Sequence, residues 1–427
     1  MTTSQTAGRR AGREPEARDD YILAIDAQLT EEEKAVRREV RAFVQRSLKP
    51  AIEHAYESAS FTRELIPEMA ELGLFGMHLE GYGCAGKGAV AYGVACMELE
   101  AGDSGVRTLV SVQGSLAMSA IHKFGTEEQK REWLPPMARG EKIGSFGLTE
   151  PGAGSDPGSM TTTARRSPEG GWILDGAKRW IGLASIADVV VVWAREEESG
   201  KVRGFLVPTD VSGFTATEIR QKYSMRASIQ CDIEMEGVQV GEEALLPGVE
   251  GLKGPFACLN EARYGIVWGV MGAARDCYET ALAYAAGREQ FGNPIASYQL
   301  TQHKLVEMVN EISQMQLLSI QMGRLKDDDA MTAAQVSLHK MNNLQKARRI
   351  AALARDALGG NGILLDYRVM EHMADIEGVY SYEGTNDVNT LIVGQALTGH
   401  KAFSSTPAKN PERNGRAREP RAEEKPE

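Results

Sequence analysis

Cysteine is scarce in this chain, and what there is forms no pattern. Five cysteines in 427 residues (Cys84, Cys96, Cys231, Cys258 and Cys277) make no Cys-x-x-Cys pair and no Cys/His cluster. They read as small buried apolar groups in a reducing compartment, and no metal site is expected. Positive charge is also in deficit, with 48 Lys and Arg against 59 Asp and Glu and a formal net charge of -11. Such a chain repels a phosphate backbone, so nucleic acid is not expected as a partner. No apolar run reaches the roughly 18–20 residues of a membrane span, so no membrane association is expected either. No Gly-x-Gly-x-x-Gly opens a helix after a strand, and βαβ alternation is missing, which disfavours a Rossmann dinucleotide site. The first twenty residues lack the apolar centre of a secretory signal. They mix Arg9, Arg10, Arg13 and Arg18 with Glu14, Glu16, Asp19 and Asp20, whereas a mitochondrial presequence avoids acids. The default expectation is therefore a cytoplasmic protein.

What is present describes a globular protein. The chain is 42% hydrophobic and 25% charged, a balance that supports a sizeable core. Its length implies two or three domains at roughly 100–200 residues each. Residues 1–27 and 405–427 are polar and read as solvated tails. Residues 28–143 carry helical patterns, with capping boxes at Thr30/Glu33 and Thr126/Gln129. Residues 144–253 change to short β-rich runs, among them Trp172-Ile-Leu and Ala187-Asp-Val-Val-Val-Val-Trp-Ala. Residues 254–404 return to helix. There Leu305, Met308, Val309 and Ile312 share one helical face, and residues 330–358 run almost unbroken, which predicts a bundle. The fold class is thus α+β, mainly α, in the order α, β, α.

Four strings stand out. They are FGLTEPGAGSD at Phe146–Asp156, Arg288-Glu-Gln-Phe-Gly followed by Gln299, DALGGNG at Asp356–Gly362, and YEGTND at Tyr382–Asp387. Taken alone, the first is a polar turn, and Gly359 and Gly360 suit a helix C-cap as well as close backbone approach to a phosphate. An arginine such as Arg288 suits a pyrophosphate because it can bond two oxygens at once. Glu383, between an aromatic residue and a glycine, is either a solvated loop residue or a desolvated base with a raised proton affinity. Arg107 is either one half of a structural ion pair with Asp103 or Glu100, or a carboxylate reader. Ser111 follows it at i+4, on the same face if the stretch is helical.

In order and spacing, the four strings resemble the motifs of acyl-CoA dehydrogenases. The resemblance covers roughly residues 29–403. It implies a helical N-terminal domain, a middle β domain and a C-terminal four-helix bundle, assembled as a homotetramer. It also implies FAD, an acyl-CoA substrate and an electron-transfer flavoprotein as acceptor. Glu383 is then the base that takes the α proton while FAD takes the β hydride, with Tyr382 and Gly384 beside the substrate. Phe146, Leu148, Thr149, Gly154 and Ser155 match the segment covering the flavin, Ser155 also touching substrate. Trp180, Ile181 and Gly182 match a second flavin segment. Arg288, Phe291, Gln299, Asp356, Gly359 and Gly360 match positions reaching FAD from a neighbouring subunit, and Thr385 is a further FAD contact.

GYGCAG at Gly81–Gly86, ELEAGDSGVRTLVSVQ at Glu98–Gln113, GPFACLNEARYGI at Gly254–Ile266 and TLIVGQALTGHKAF at Thr390–Phe403 resemble the glutaryl-CoA dehydrogenase subgroup. That finer resemblance implies that Arg107 pairs with the distal carboxylate, near Ser111, and that Glu100 is tied to decarboxylation. Phe256, Asn260 and Arg263 fall in a CoA-contacting segment, and Phe403 is a late substrate contact. The implied products are crotonyl-CoA and carbon dioxide. One departure is Gly182, where the family commonly has a threonine bonding flavin N5. Family oxidases also carry Trp-Ile-Gly here. An oxygen-using acyl-CoA oxidase and a dehydrogenase of another short or carboxylated acyl-CoA therefore stay open, as does a catalytically silent flavin- or CoA-binding scaffold.

Overall fold

The computed structural model describes residues 24–401, so Phe403 and most of both expected tails lie outside the described residues. Residues 24–27 depart from the expected tail. Ile25–Gln28 form a turn of 3-10 helix, and Asp26 pairs with the buried Arg37. The buried guanidinium draws this acid into the fold.

Among the described residues seven α-helices precede the sheet: α1 (Glu31–Phe43), α2 (Lys49–Ser58), α3 (Ile66–Glu71), α4 (Ala89–Gly102), α5 (Ser104–Val110), α6 (Ser119–Phe124) and α7 (Glu127–Ala138). Both expected capping boxes are made. Thr30 N–H donates to the Glu33 carboxylate at 2.8 Å, and Thr126 N–H donates to Gln129 Oε1 at 2.8 Å. Every residue of α4 is buried, so this helix runs through the centre of its domain rather than along a surface. It ends where Asp103 turns extended, and the Asp103 carboxylate accepts from Val106 N–H at 2.8 Å to start α5. Between α5 and α6, Ser111–Met118 widens into a π-helical segment, a distortion that often accompanies a functional site.

The seven strands of the main sheet are β1 (Gly144–Gly147), β2 (Thr163–Arg166), β3 (Trp172–Gly182), β4 (Val189–Glu196), β5 (Val202–Pro208), β6 (Phe214–Glu218) and β7 (Gln230–Val240). They form one mixed sheet in the order β1-β4-β2-β3-β7-β6, with β5 also paired to β4. Strand β4 is parallel to β1 and β2 and antiparallel to β5, and its residues 189–194 are all buried. Burial on both faces explains its unbroken apolar run. The pairing of β3 with β7 breaks register between Lys178 and Ile181, a bulge that lifts residues 179 and 180 out of the ladder.

Five helices follow: α8 (Lys253–Gly287), α9 (Gln299–Asp327), α10 (Ala333–Ala357), α11 (Val369–Ser381) and α12 (Asn386–Thr398). The backbones of α8 and α4 nearly touch. A Cβ at Gly272 would lie 1.8 Å from the Met97 carbonyl oxygen. A buried ion cluster crosses the same seam. Glu98 of α4 receives Arg275 of α8 at 2.6 and 2.7 Å, and Arg41 and Arg37 of α1 at 3.0 and 3.2 Å. Burial alone would raise the Glu98 carboxyl, but Arg275 and Arg41 outweigh it and hold it well below the usual carboxylate range.

Removing one member of such a cluster leaves buried charge uncompensated. We expect Glu98→Gln to cost about 3–5 kcal/mol in denaturant unfolding at pH 7. Because the folded carboxyl is depressed, its contribution is present above the unfolded glutamate value and is lost on acidification below about pH 4. The gap between the two proteins should therefore narrow there. Equal midpoints at pH 7 contradict this account of the seam.

Candidate functional site

Arg107 is fully buried on α5. Its Nε donates to Glu100 Oε2 at 2.5 Å and its Nη2 to the Tyr382 hydroxyl at 2.5 Å. Ser104 Oγ bonds the other Glu100 oxygen at 3.2 Å, and Thr108 Oγ1 lies 3.1 Å from the Tyr382 hydroxyl. Asp103, the other acid considered for Arg107, is occupied as the cap of α5. Room for the Glu100–Arg107 pair comes from α8, where a Cβ at Gly269 would lie 2.1 Å from Glu100 Oε2 and 2.9 Å from Arg107 Nε. Burial pushes the Tyr382 phenol up to about 12, with Arg107 pulling the other way, so it stays a neutral donor and acceptor. Ser111 is buried at the start of the π-helical segment, one turn beyond Arg107.

The turn from α11 to α12 carries Glu383. Both Glu383 (φ 56) and Gly384 (φ 85) are left-handed, which is costly for a glutamate. All three successive carbonyls of the turn are held. Lys340 of α10 donates to those of Tyr382 and Gly384, the latter at 2.7 Å. Arg263 Nε of α8 donates to that of Glu383 at 2.8 Å, and Asn389 Nδ2 also reaches Gly384 at 2.8 Å. Gly384 leaves space for Arg263, since a Cβ there would lie 3.2 Å from its Nη2. Thr385 caps α12 through Val388 N–H at 3.2 Å. Glu383 Oε2 is enclosed with no hydrogen-bond partner among the described residues. Burial raises the Glu383 carboxyl, and Lys340, Arg263 and Arg107 offset this only in part.

The turn after β1 is built differently from a bare polar loop. Phe146 and Leu148 are buried and Thr149 half-buried, while Gly154 and Ser155 are exposed. Glu150 is buried and organises the turn. It accepts from Lys178 Nζ at 2.8 Å and from Thr161 and Thr162 N–H at 2.6 and 3.0 Å. Arg179 N–H donates to the Thr149 carbonyl at 2.8 Å, which sets the β3 bulge beside this turn. On the bulge Trp180 has φ 63 and is 53% exposed, with the Arg179 guanidinium carbon 5.1 Å from its ring centroid, while Ile181 is buried. Gly182 pairs with Gln230, and its carbonyl accepts from Ser145 Oγ at 2.5 Å. A Cβ at this glycine would lie 3.0 Å from Val112 Cγ2 in the π-helical segment, so Val112 takes up space a larger residue would need.

A second group stands on the surface of the bundle. Arg288, Phe291 and Gln299 are exposed, Phe291 at 95%. Asp356, Gly359 and Gly360 are exposed at the end of α10, where Gly359 is left-handed, as a C-cap glycine is. Lys304 Nζ meets Asp356 at 2.5 Å, and Asn361 Nδ2 meets the Tyr284 hydroxyl at 3.0 Å, so this turn is tied to α9 and α8. Phe256 is exposed on α8, and Asn260 Oδ1 accepts from Arg263 Nη1 at 3.1 Å. Sequence reasoning missed Lys340, Glu150, Thr108 and Asn389. Lys340 had a readable signal: it shares the buried stripe of α10 with Val336, Leu344 and Ala347.

The fold agrees with known proteins. Models of the acyl-CoA dehydrogenase N-terminal, middle and C-terminal domains match residues 30–141, 145–238 and 250–398. The chain belongs to the acyl-CoA dehydrogenase family. It is 33% identical over 389 residues to the short-chain specific mitochondrial acyl-CoA dehydrogenase of Bos taurus, covering 90% of this chain and 94% of that protein. A glutaryl-CoA dehydrogenase structure from Mycobacterium smegmatis is 55% identical, with a TM-score of 0.88 over 90% of this chain and 99% of that one. Another from the same organism, in complex with FADH2, is 51% identical, with a TM-score of 0.87 over 89% and 97%. The cofactor of this acyl-CoA dehydrogenase is FAD. The residues fit it: a half-exposed indole, a half-buried threonine, open glycines and an exposed arginine supply stacking, hydrogen bonds and charge for an isoalloxazine and a pyrophosphate.

Alanine is the better helix former, so on propensity alone Gly269→Ala would stabilise α8 by up to about 1 kcal/mol. The contact with Glu100 reverses the sign. We expect a loss of about 1–3 kcal/mol in denaturant unfolding, and weaker acyl-CoA binding, from overpacking at the Glu100–Arg107 pair. A stabilised variant contradicts that packing.

Proposed function

We propose that this acyl-CoA dehydrogenase oxidises glutaryl-CoA and decarboxylates the product to crotonyl-CoA and carbon dioxide. The observation that carries the proposal is Arg107, a fully buried cation that shares a tyrosine with the Glu383 turn. A buried guanidinium penalises a plain acyl chain, which leaves it short of a partner, and rewards a chain ending in carboxylate. Glu100, Ser111 and Tyr382 complete that end of the site.

Glu383 is the base. Its enclosed oxygen has no competing donor, and burial gives it the proton affinity needed to take an α proton near neutral pH. Its own N–H would donate to the thioester carbonyl, where developing negative charge needs a donor, and Gly384 beside it lets the backbone approach closely. FAD, when bound, accepts the hydride from the β carbon. Loss of the α proton and β hydride gives the α,β-unsaturated glutaconyl thioester. The γ carboxylate then leaves as carbon dioxide, its bonding electrons delocalise into the conjugated thioester, and protonation of the γ carbon gives crotonyl-CoA.

Phe146, Leu148, Thr149, Gly154, Ser155, Trp180, Ile181, Gly182 and Thr385 would hold the flavin of the same chain. Arg288, Phe291, Gln299, Asp356, Gly359 and Gly360 would serve a neighbouring subunit, which explains their exposure and argues for a homotetramer. Phe256, Asn260 and Arg263 would meet the CoA. An electron-transfer flavoprotein is the proposed acceptor. The name of the bovine relative supports a second reading, a dehydrogenase of unsubstituted short acyl-CoAs.

Anaerobic titration of the FAD-loaded protein separates these readings. With glutaryl-CoA we expect flavin bleaching and crotonyl-CoA by mass, with little response to butyryl-CoA. Bleaching by butyryl-CoA alone supports the second reading, and near-stoichiometric hydrogen peroxide on admitting oxygen points to an oxidase. Glu383→Gln should slow bleaching by about 10²–10⁴-fold. In the parent the rate should fall on acidification, with a midpoint above the ordinary glutamate value, because only the carboxylate can accept the proton. A flat profile contradicts this assignment.

A further inference from the structure

Lys340 is fully buried on a helix face shared with Val336, Leu344 and Ala347 and with the polar Ser337 and Asn343, an expensive place for an ammonium. Among the described residues no carboxylate bonds it. Its hydrogen-bond partners are the two backbone carbonyls that bracket Glu383, those of Tyr382 and Gly384. The carbonyl between them belongs to Arg263. These two cations, with Asn389, hold the three carbonyls of a turn whose central residues are both left-handed. Each carbonyl dipole is pinned, so the peptide planes flanking Glu383 cannot rotate to relax its φ.

We infer that Lys340 is a positioning residue for Glu383: its ammonium bridges the Tyr382 and Gly384 carbonyls and so locks the base in its left-handed turn while tempering the desolvation of its carboxylate. The inference rests on the proposed role of Glu383 and extends it to a residue that acts on the base through the backbone of its turn. The charged and titratable groups facing the turn are Arg107 from α5, Cys258 and Arg263 from α8, Lys340 from α10 and Tyr382 within it. Burial pushes Lys340 down to about 7, with Glu383 pulling it back up and Arg263 and Arg107 reinforcing the drop. The charge on Lys340 thus lowers the proton affinity of Glu383, and loss of the lysine charge should raise the carboxyl further.

The test is an infrared pH titration of the Glu383 carboxyl in the FAD-loaded full chain without substrate. The band is assigned by its disappearance in Glu383→Gln. Anaerobic flavin reduction by glutaryl-CoA and by butyryl-CoA runs alongside. Lys340→Gln and Lys340→Met should move the carboxyl midpoint up by about one pH unit. They should also slow reduction at pH 7 roughly tenfold, with KM little changed. Lys340→Arg, which keeps the charge, should keep the midpoint near that of the parent. Lys340→Gln retains a donor for one carbonyl and decides the matter if Lys340→Met does not fold. An unmoved midpoint in Lys340→Gln, or a shift in Lys340→Arg as large as in Lys340→Gln, overturns the inference. Failure of the underlying reading looks different: Glu383→Gln would then reduce its flavin at the parental rate, whatever the lysine variants do to the carboxyl band.

Discussion

A guanidinium taken fully out of water must be met by charge and hydrogen bonds, and Arg107 organises its surroundings on that condition. Desolvation alone would weaken its hold on the proton, and Glu100 more than restores it. Glu100 can lie there only because α8 offers Gly269 at the crossing, and α5 starts where it does only because Asp103 caps it instead of pairing with the arginine. Its Nη2 donates to Tyr382, which fixes one end of the turn between α11 and α12. One buried charge thus links the N-terminal helices, the long helix α8 and the loop that carries Glu383.

That loop shows how strain is carried by a rigid frame. A glutamate with positive φ costs on the order of 1–3 kcal/mol, and such a residue persists only where its surroundings over-determine it. Here the frame is the set of pinned carbonyls, with donors from α8, α10 and α12. The three cations near Glu383 are spent largely on carbonyls, a carboxylate and a hydroxyl, which leaves Oε2 without a hydrogen bond. The carboxyl is therefore raised even with positive charge around it.

The order of the fold was legible because it rests on local signals. Capping boxes, the valine run of β4 and the turn residues between strands are read within a few positions. The four strings and their spacing likewise led to the acyl-CoA dehydrogenase family and FAD. What stayed hidden depends on tertiary contact. Glu150 sits in a string that looks like a polar turn, yet it is a buried anchor for Lys178. Arg107 had two acids within reach in sequence, and only the extended backbone at Asp103 decides between them. The π-helical widening at Ser111–Met118 has no signature of its own, and it places Val112 against Gly182. The position of Lys340 on the buried stripe of α10 is legible, but its partner comes from a loop 42 residues later.

The central claim is that Arg107 reads a distal carboxylate, and the most direct measurement compares kcat/KM for glutaryl-CoA and butyryl-CoA in the parent and in Arg107→Met. Methionine keeps much of the apolar stem and removes the charge. The account predicts that the preference for glutaryl-CoA collapses by about 10²-fold or more, chiefly through loss on glutaryl-CoA, because a buried carboxylate then lacks its partner. A preference ratio that survives the substitution contradicts it.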